Sequence, residues 1–403
     1  MFNLKNFLII TNSYLIFTLT DGAIRMIVLL HFFHLGFSPF LLAILFLLYE
    51  FMGIITNFFG GWAASFLGIK RMLNVGILLQ ILGIYLLSFY SPSWDLYLSV
   101  IWIMFAQGLC GIAKDITKTS SKSAIKIVSG KGEGVLFKWV SWFTGLKNTT
   151  KGLGFFIGGI LVETIGFKLS IFTLIIFLTI CFILLFFLQK DLGNLKPSKN
   201  FKDLFSKSRN INILSIARVF LFGSRDIWFV VGLPVFLYSN GWSFWQVGSF
   251  LALWTIGYGI VQSSIPAFIK RSKDGLSLEI LSSKFWVILL TLIQLIILII
   301  STVFDFQVIG LDTIIVIGLL IFGVLFAINS ALHSYLILAY SNDNNITEDV
   351  GFYYSANALG RFFGTLLSGL LFQIFGIAGC IAGSFVFLIF CLVSTLNLSI
   401  KNK

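Results

Sequence analysis

Nine charged residues stand where charge is costly. Arg25, Lys147, Lys151, Arg218, Arg225 and Arg361, with the acids Asp21, Glu50 and Asp226, lie inside apolar runs long enough to cross a bilayer. At the centre of a transmembrane helix each costs roughly 2.5–3.5 kcal/mol on insertion scales, so each is kept for pairing or for function. Pairing accounts for part of the set. Asp21 and Arg25 are four residues apart, a spacing that suits a salt bridge on one helix, and Asp226 stands beside Arg225 and can also meet a cation from another span. Six cations against three acids leave three positive charges over. A dry, unpaired guanidinium or ammonium is very costly, so the surplus points to a cavity visited by an anion.

Residue type narrows the roles. Arginine grips phosphate-like groups with a planar fork that stays charged at any relevant pH, so Arg25, Arg225 and Arg361 are the expected direct contacts. Lys147 and Lys151 are four residues apart and share one face of their span, adding positive charge to the same substrate site. Arg218, two turns before Arg225, suits either a site on the way in or a lipid-headgroup anchor. Asp21, Glu50 and Asp226 are candidates for a coupling proton, because a substrate that competes for a neighbouring cation would release the carboxylate to take one up. His31 and His34 fall near the outer membrane edge, whereas His333 lies inside a span.

These residues need a membrane-spanning frame to hold them. The chain has 403 residues, 58% hydrophobic and 11% charged. Its mean hydropathy is +0.99. A soluble domain keeps about 25% of its residues charged, which excludes that class. Expected spans are 8–34, 39–66, 72–90, 94–113, 139–164, 168–188, 211–237, 244–269, 280–303, 311–339, 351–375 and 377–398: an all-α integral membrane protein of about 12 transmembrane helices. The first is read as a retained span, since Asp21 and Arg25 interrupt it and no cleavage site follows.

Most of the 28 lysines and arginines fall at the termini and in alternate loops, and the opposite loops hold Lys168. The positive-inside rule then places both termini in the cytoplasm of a multi-pass protein of the plasma membrane. The net charge of +12 is therefore an orientation signal, and no nucleic-acid partner is expected. Residues 189–210, with Pro197 and no apolar run, read as a cytoplasmic linker between bundles at 1–188 and 211–403. Cys110, Cys181, Cys380 and Cys391 lie in apolar runs without a CxxC pair, so neither disulfide nor zinc is expected, and no cofactor. No nucleophile–base pair or phosphate-cradling glycine loop suggests an enzyme.

An internal repeat supports two bundles. Asp21 precedes the turn Gly36-Phe37-Ser38 by 15 residues, and Asp226 precedes Gly241-Trp242-Ser243 by the same 15, at an offset of 205. That offset also sets Asn57 against Gln262. At an offset of 210, Lys151 matches Arg361, Gly154 matches Gly364, Gly159 matches Gly369 and Gly166 matches Gly376. All four charged positions fall 15 residues from an outer-loop glycine. That is roughly 22 Å along a helix, near the bilayer midplane. Parallel six-helix repeats with a midplane substrate site are the architecture of the major facilitator superfamily, here two pseudo-symmetric bundles. The stretch from Gly61 to Arg71 resembles that superfamily's G-x-x-x-D-R-x-G-R-R loop motif, with Ser65 and Phe66 replacing its acid and arginine. Gly154-Phe155-Phe156-Ile157-Gly158-Gly159 resembles its antiporter motif G-P-x-x-G-G, with Phe155 in place of proline.

Six segments together resemble the organoarsenical efflux permeases of the superfamily: FTLTDGAIRMIVLLHF, LLYEFMGIITNFFGGW, GIAKDITK, LKNTTKGLGFFIGG, DLFSKSRNINILSIARVFLFGSRDIWFVVGLPVF and LALWTIGYGIVQ. The resemblance implies export of 1-arseno-3-phosphoglycerate, made from arsenate by a partner cytosolic glyceraldehyde-3-phosphate dehydrogenase, and hence arsenate resistance. The residue chemistry agrees. That ester carries two multiply anionic groups, whereas a trivalent-arsenic pump would present clustered thiolates, and the cysteines here are scattered. Two alternatives remain open: a different organophosphate or carboxylate transporter, and a non-transporting organophosphate sensor of the same fold. The protein is expected to act as a monomer.

Overall fold

The computed structural model describes residues 4–128, 135–188, 207–268, 272, 276–303, 310–341 and 346–399. Most of the 189–210 linker lies outside them, as do the side chains of Gly61–Leu67 in the loop motif. Twelve helices are described: α1 (Leu4–His34), α2 (Pro39–Leu67), α3 (Ile69–Leu87), α4 (Leu96–Val128), α5 (Val135–Thr164), α6 (Gly166–Phe186), α7 (Arg209–Phe229), α8 (Gly232–Ser239), α9 (Phe244–Phe268), α10 (Ser277–Val303), α11 (Leu311–Tyr340) and α12 (Ile346–Leu396). Among the described residues ten helical stretches are long and apolar enough to span a membrane, with α7 and α8 counted as one.

The helices are apolar on the outside as well as the inside. On α6, Phe167, Ile171, Leu174, Leu178, Cys181 and Leu185 form a buried stripe. Its other faces carry Leu169, Ile176 and Phe186, each at least 60% exposed. Water would not favour such a helix, but hydrocarbon does.

The repeat read from the sequence reappears in the backbone. Gly36 and Gly241 both have φ of 88°, and Gly166 and Gly376 have 74° and 63°. Side chains with a Cβ rarely adopt that region, so glycine ends one helix and starts the next at matching places in each repeat. At Gly376 the turn is tight enough that two spans run together as α12. The seventh span instead breaks between α7 and α8. Pro234 has no N–H to give to Val230, and the Ser368 hydroxyl accepts from the freed amides of Val231 (3.1 Å) and Gly232 (3.0 Å).

The chain folds into two compact units. The first is Met1–Gly36, Ile44–Ser198 and Ser243–Gly259; the second is Phe37–Ala43, Lys199–Trp242 and Ile260–Lys403. In the first unit α1 crosses α5 at glycines: a Cβ on Gly22 would lie 2.6 Å from the Lys151 carbonyl, and one on Gly158 2.5 Å from the Ala23 carbonyl. In the second, α7 crosses α12 equally closely, and a Cβ on Gly364 would lie 2.7 Å from the Asp226 Cβ. Small residues at such crossings are how helices pack without a hydrophobic drive in lipid.

Each unit also caps a helix start with a side chain from a distant helix. Glu163 accepts from the Trp245 amide at the start of α9 (2.9 Å), and Gln373 accepts from the Phe40 amide at the start of α2 (3.1 Å). The two acceptors differ by 210 in sequence and the two donors by 205, the offsets of the repeat. Helix N-termini need such acceptors because their first amides have no partner within the helix.

Candidate functional site

The first unit gathers charge from α1, α2, α4 and α5. Asp21 on α1 accepts from Tyr49 Oη (2.5 Å) and from Lys151 Nζ on α5 (3.3 Å). Arg25, one turn further along α1, gives Nη2 to Glu50 on α2 at 2.6 Å. The salt bridge expected between Asp21 and Arg25 is therefore replaced by two pairs between helices. Glu50 is fully buried on its own helix and needs a cation of its own, which Arg25 supplies while Lys151 reaches Asp21. Lys147 lies one turn before Lys151 on α5 and is half-buried.

The cluster extends along α4 into a stretch that the hydropathy pattern assigns to a loop. Helix α4 continues to Val128, so Lys114, Asp115 and Lys118 are helical. Lys114 Nζ stands 3.9 Å from Glu50 Oε2 and 3.5 Å from Asp115 Oδ2. Lys118 pairs with Asp115 and donates to Asn57 Oδ1 at 2.9 Å. Tyr49 ties the group together, with the Lys114 ammonium 4.1 Å and the Arg25 guanidinium 5.2 Å from its ring centroid. A signal for this extension existed, because no glycine or proline interrupts the chain between Gly111 and Gly130. Lys114 and Lys118 share a helical face.

The second unit repeats the arrangement with arginines. Asp226 on α7 is fully buried and holds Arg225 through Nε (2.6 Å) and Nη2, and Arg361 on α12 through Nε at 3.2 Å. Asp21 with Lys151 and Asp226 with Arg361 are thus equivalent ion pairs of the repeat, each joining equivalent helices. The second differs by carrying an additional cation. Two guanidiniums share that one carboxylate, and each is 15% exposed.

Arg218 lies two turns earlier on α7 and is 4% exposed, too buried for the headgroup anchor that its sequence position allowed. Its Nε donates to Asn357 Oδ1 (3.0 Å), and its Nη1 to the carbonyl and hydroxyl of Ser330 (3.2 Å each). These acceptors are all neutral. His333, one turn beyond Ser330 on α11, is fully buried, and neither ring nitrogen has a partner among the described residues. His31 stacks on Phe167 at 4.2 Å, and His34 lies edge-on to Phe244.

The four cysteines are free and buried. Cys380 and Cys391 share α12, so thiols occupy three helices. Among the described residues no group of three or more His, Cys, Asp or Glu side chains is arranged to hold a metal ion.

The family model described as Major Facilitator Superfamily matches residues 10–338. No curated protein matches the chain. Among solved structures, a proton-dependent oligopeptide transporter superposes with a TM-score of 0.73 at 14% identity, covering 97% of this chain and 96% of its own. A bacterial homologue of the human drug peptide transporters PepT1 and PepT2 gives 0.72 at 14% identity, covering 98% of this chain and 97% of its own. The human organic anion transporter MFSD10 (TETRAN) gives 0.67 at 14% identity over 97% and 99% of the two chains. At such identities the likeness is one of fold.

Proposed function

The chain belongs to the major facilitator superfamily, and from that premise we propose that this multi-pass membrane transporter exports an organic anion, 1-arseno-3-phosphoglycerate, across the plasma membrane. The observation that carries the reading is the pair of arginines, Arg225 and Arg361, sharing the single carboxylate of Asp226. An oxyanion entering that site accepts from the guanidiniums, which are charged at every relevant pH, and competes with Asp226 for them. The freed carboxylate then has reason to bind a proton, so binding and protonation are linked through one side chain. Asp21 with Lys151, and Glu50 with Arg25, provide the same competition in the first unit, with Lys147 adding positive charge nearby.

The choice of substrate rests on the resemblance of the charge-bearing segments to organoarsenical permeases and on the nature of the charges. A surplus of hard cations suits a molecule with a phosphate and an arsenate group. Buried thiols that form no cluster among the described residues do not suit trivalent arsenic, which prefers clustered soft ligands. The ester is unstable and is supplied by a cytosolic glyceraldehyde-3-phosphate dehydrogenase acting on arsenate, so the two proteins together would confer arsenate resistance. The basic loops support cytoplasmic termini, and export follows from where the ester is made.

The reading is tested in an arsenate-sensitive host. Cells with this protein and the dehydrogenase are expected to lose intracellular arsenic and grow; cells with this protein alone are not. Arg225→Gln or Arg361→Gln should abolish the effect with membrane insertion intact. Equal resistance with and without the dehydrogenase would contradict the proposed substrate.

A further inference from the structure

Arg218 has a charge that the Asp226 cluster does not explain. No carboxylate of the described residues comes within salt-bridge distance of it, and Asp226 is already occupied by Arg225 and Arg361. Ring faces compensate it in part, with Phe222 at 3.9 Å and Tyr353 at 4.9 Å from its guanidinium carbon. Its hydrogen bonds use Nε and Nη1, leaving the two N–H groups of Nη2. Asn357, held by Arg218 through its oxygen, has its amide N–H groups to offer. His333, one turn beyond Ser330 on α11, has both ring nitrogens without a partner among the described residues although fully buried. A buried polar group left in that state is costly. The donors of Arg218 on α7 and Asn357 on α12, which meet each other, therefore share one missing partner, and its sign is negative.

Distance links this place to the Asp226 cluster. The Arg225 guanidinium carbon lies 4.9 Å from the centroid of the same Phe222 ring, on which Arg218 stands at 3.9 Å. The two guanidinium carbons are therefore at most 8.8 Å apart, the sum of those distances. One small molecule can touch both.

Resting on the reading of an anion transporter, we infer that Arg218, with Asn357, binds the second oxyanion of a substrate that carries two, while Arg225 binds the first. Phe222 sets the spacing by packing under both guanidiniums. Selectivity for doubly anionic over singly anionic substrates then resides in Arg218.

The test compares two stable probes that differ only in the second group, propane-1,3-diphosphonate and propylphosphonate, titrated against the purified full-length protein in lipid nanodiscs. The unmodified protein is expected to favour the diphosphonate at least about tenfold, the smaller effect of one charge-assisted hydrogen bond. Arg218→Gln should collapse that ratio towards one, whereas Arg225→Gln should weaken both probes. If Arg218→Gln does not fold, Asn357→Ala reads the same place, and the ratio should fall severalfold. An unchanged ratio in the variant that folds overturns the assignment. Equal affinity of the unmodified protein for both probes also overturns it, but leaves the anion transporter standing. Binding of neither probe overturns the assignment together with the anion reading.

Discussion

Asp226 holds two guanidiniums with one charge, and removing that charge alone is informative. Asp226→Asn keeps the side-chain shape but leaves Arg225 and Arg361 facing a neutral amide. Breaking a buried charged contact in this way typically costs about 3–5 kcal/mol. The variant is expected to melt well below the unmodified protein. It should also gain more thermal stability from added inorganic phosphate, since an anion that binds the folded state supplies the missing charge. Equal gains from phosphate in both proteins would show that the arginines do not meet the anion there. At this scale the sequence is partly legible. The buried charges announce themselves by standing among leucines and phenylalanines, and so does their positive surplus. Their pairing does not, because Arg25 turns to Glu50 rather than Asp21 for reasons of helix packing. Lys114 and Lys118 read as loop residues because the apolar run ends at the first lysine, although α4 carries on.

Helix crossings decide whether those pairs can form at all. Lys151 reaches Asp21 only because Gly22 lets α5 lie against α1, and Asp226 reaches Arg361 across the equivalent crossing at Gly364. A methyl group at Gly22 would meet the backbone carbonyl of Lys151, which cannot swing aside as a side chain would. Gly22→Ala and Gly364→Ala are each expected to cost about 1–3 kcal/mol by overpacking and to cut transport by displacing the ion pair. Ala substitution at Gly257, where a Cβ would meet nothing within 4 Å, is the control and should leave both stability and flux near normal. Melting temperature and initial uptake rate in proteoliposomes measure the two effects. Full flux in Gly22→Ala would mean that the Asp21–Lys151 geometry is not needed. The repeat is visible in sequence because turn glycines and charges recur at constant offsets. The matched caps at Glu163 and Gln373 are not, since a Glu and a Gln share no charge and their acceptor role appears only when a distant helix start is brought beside them.

For the whole molecule, the all-helical membrane fold follows from hydropathy, span length and the two repeats, each of which constrains backbone rather than chemistry. The family match and the superposed transporters agree with that fold. The proposed substrate rests on a few side chains, three of them arginines within one unit. What the protein moves is therefore the property to measure. The most direct measurement is arsenic uptake into everted membrane vesicles containing this protein. They are supplied with glyceraldehyde-3-phosphate dehydrogenase, NAD, arsenate and glyceraldehyde 3-phosphate. Uptake is expected only when all four are present, with Arg225→Gln vesicles giving none. Uptake of bare arsenate or arsenite at the same rate without the dehydrogenase would contradict the ester as substrate.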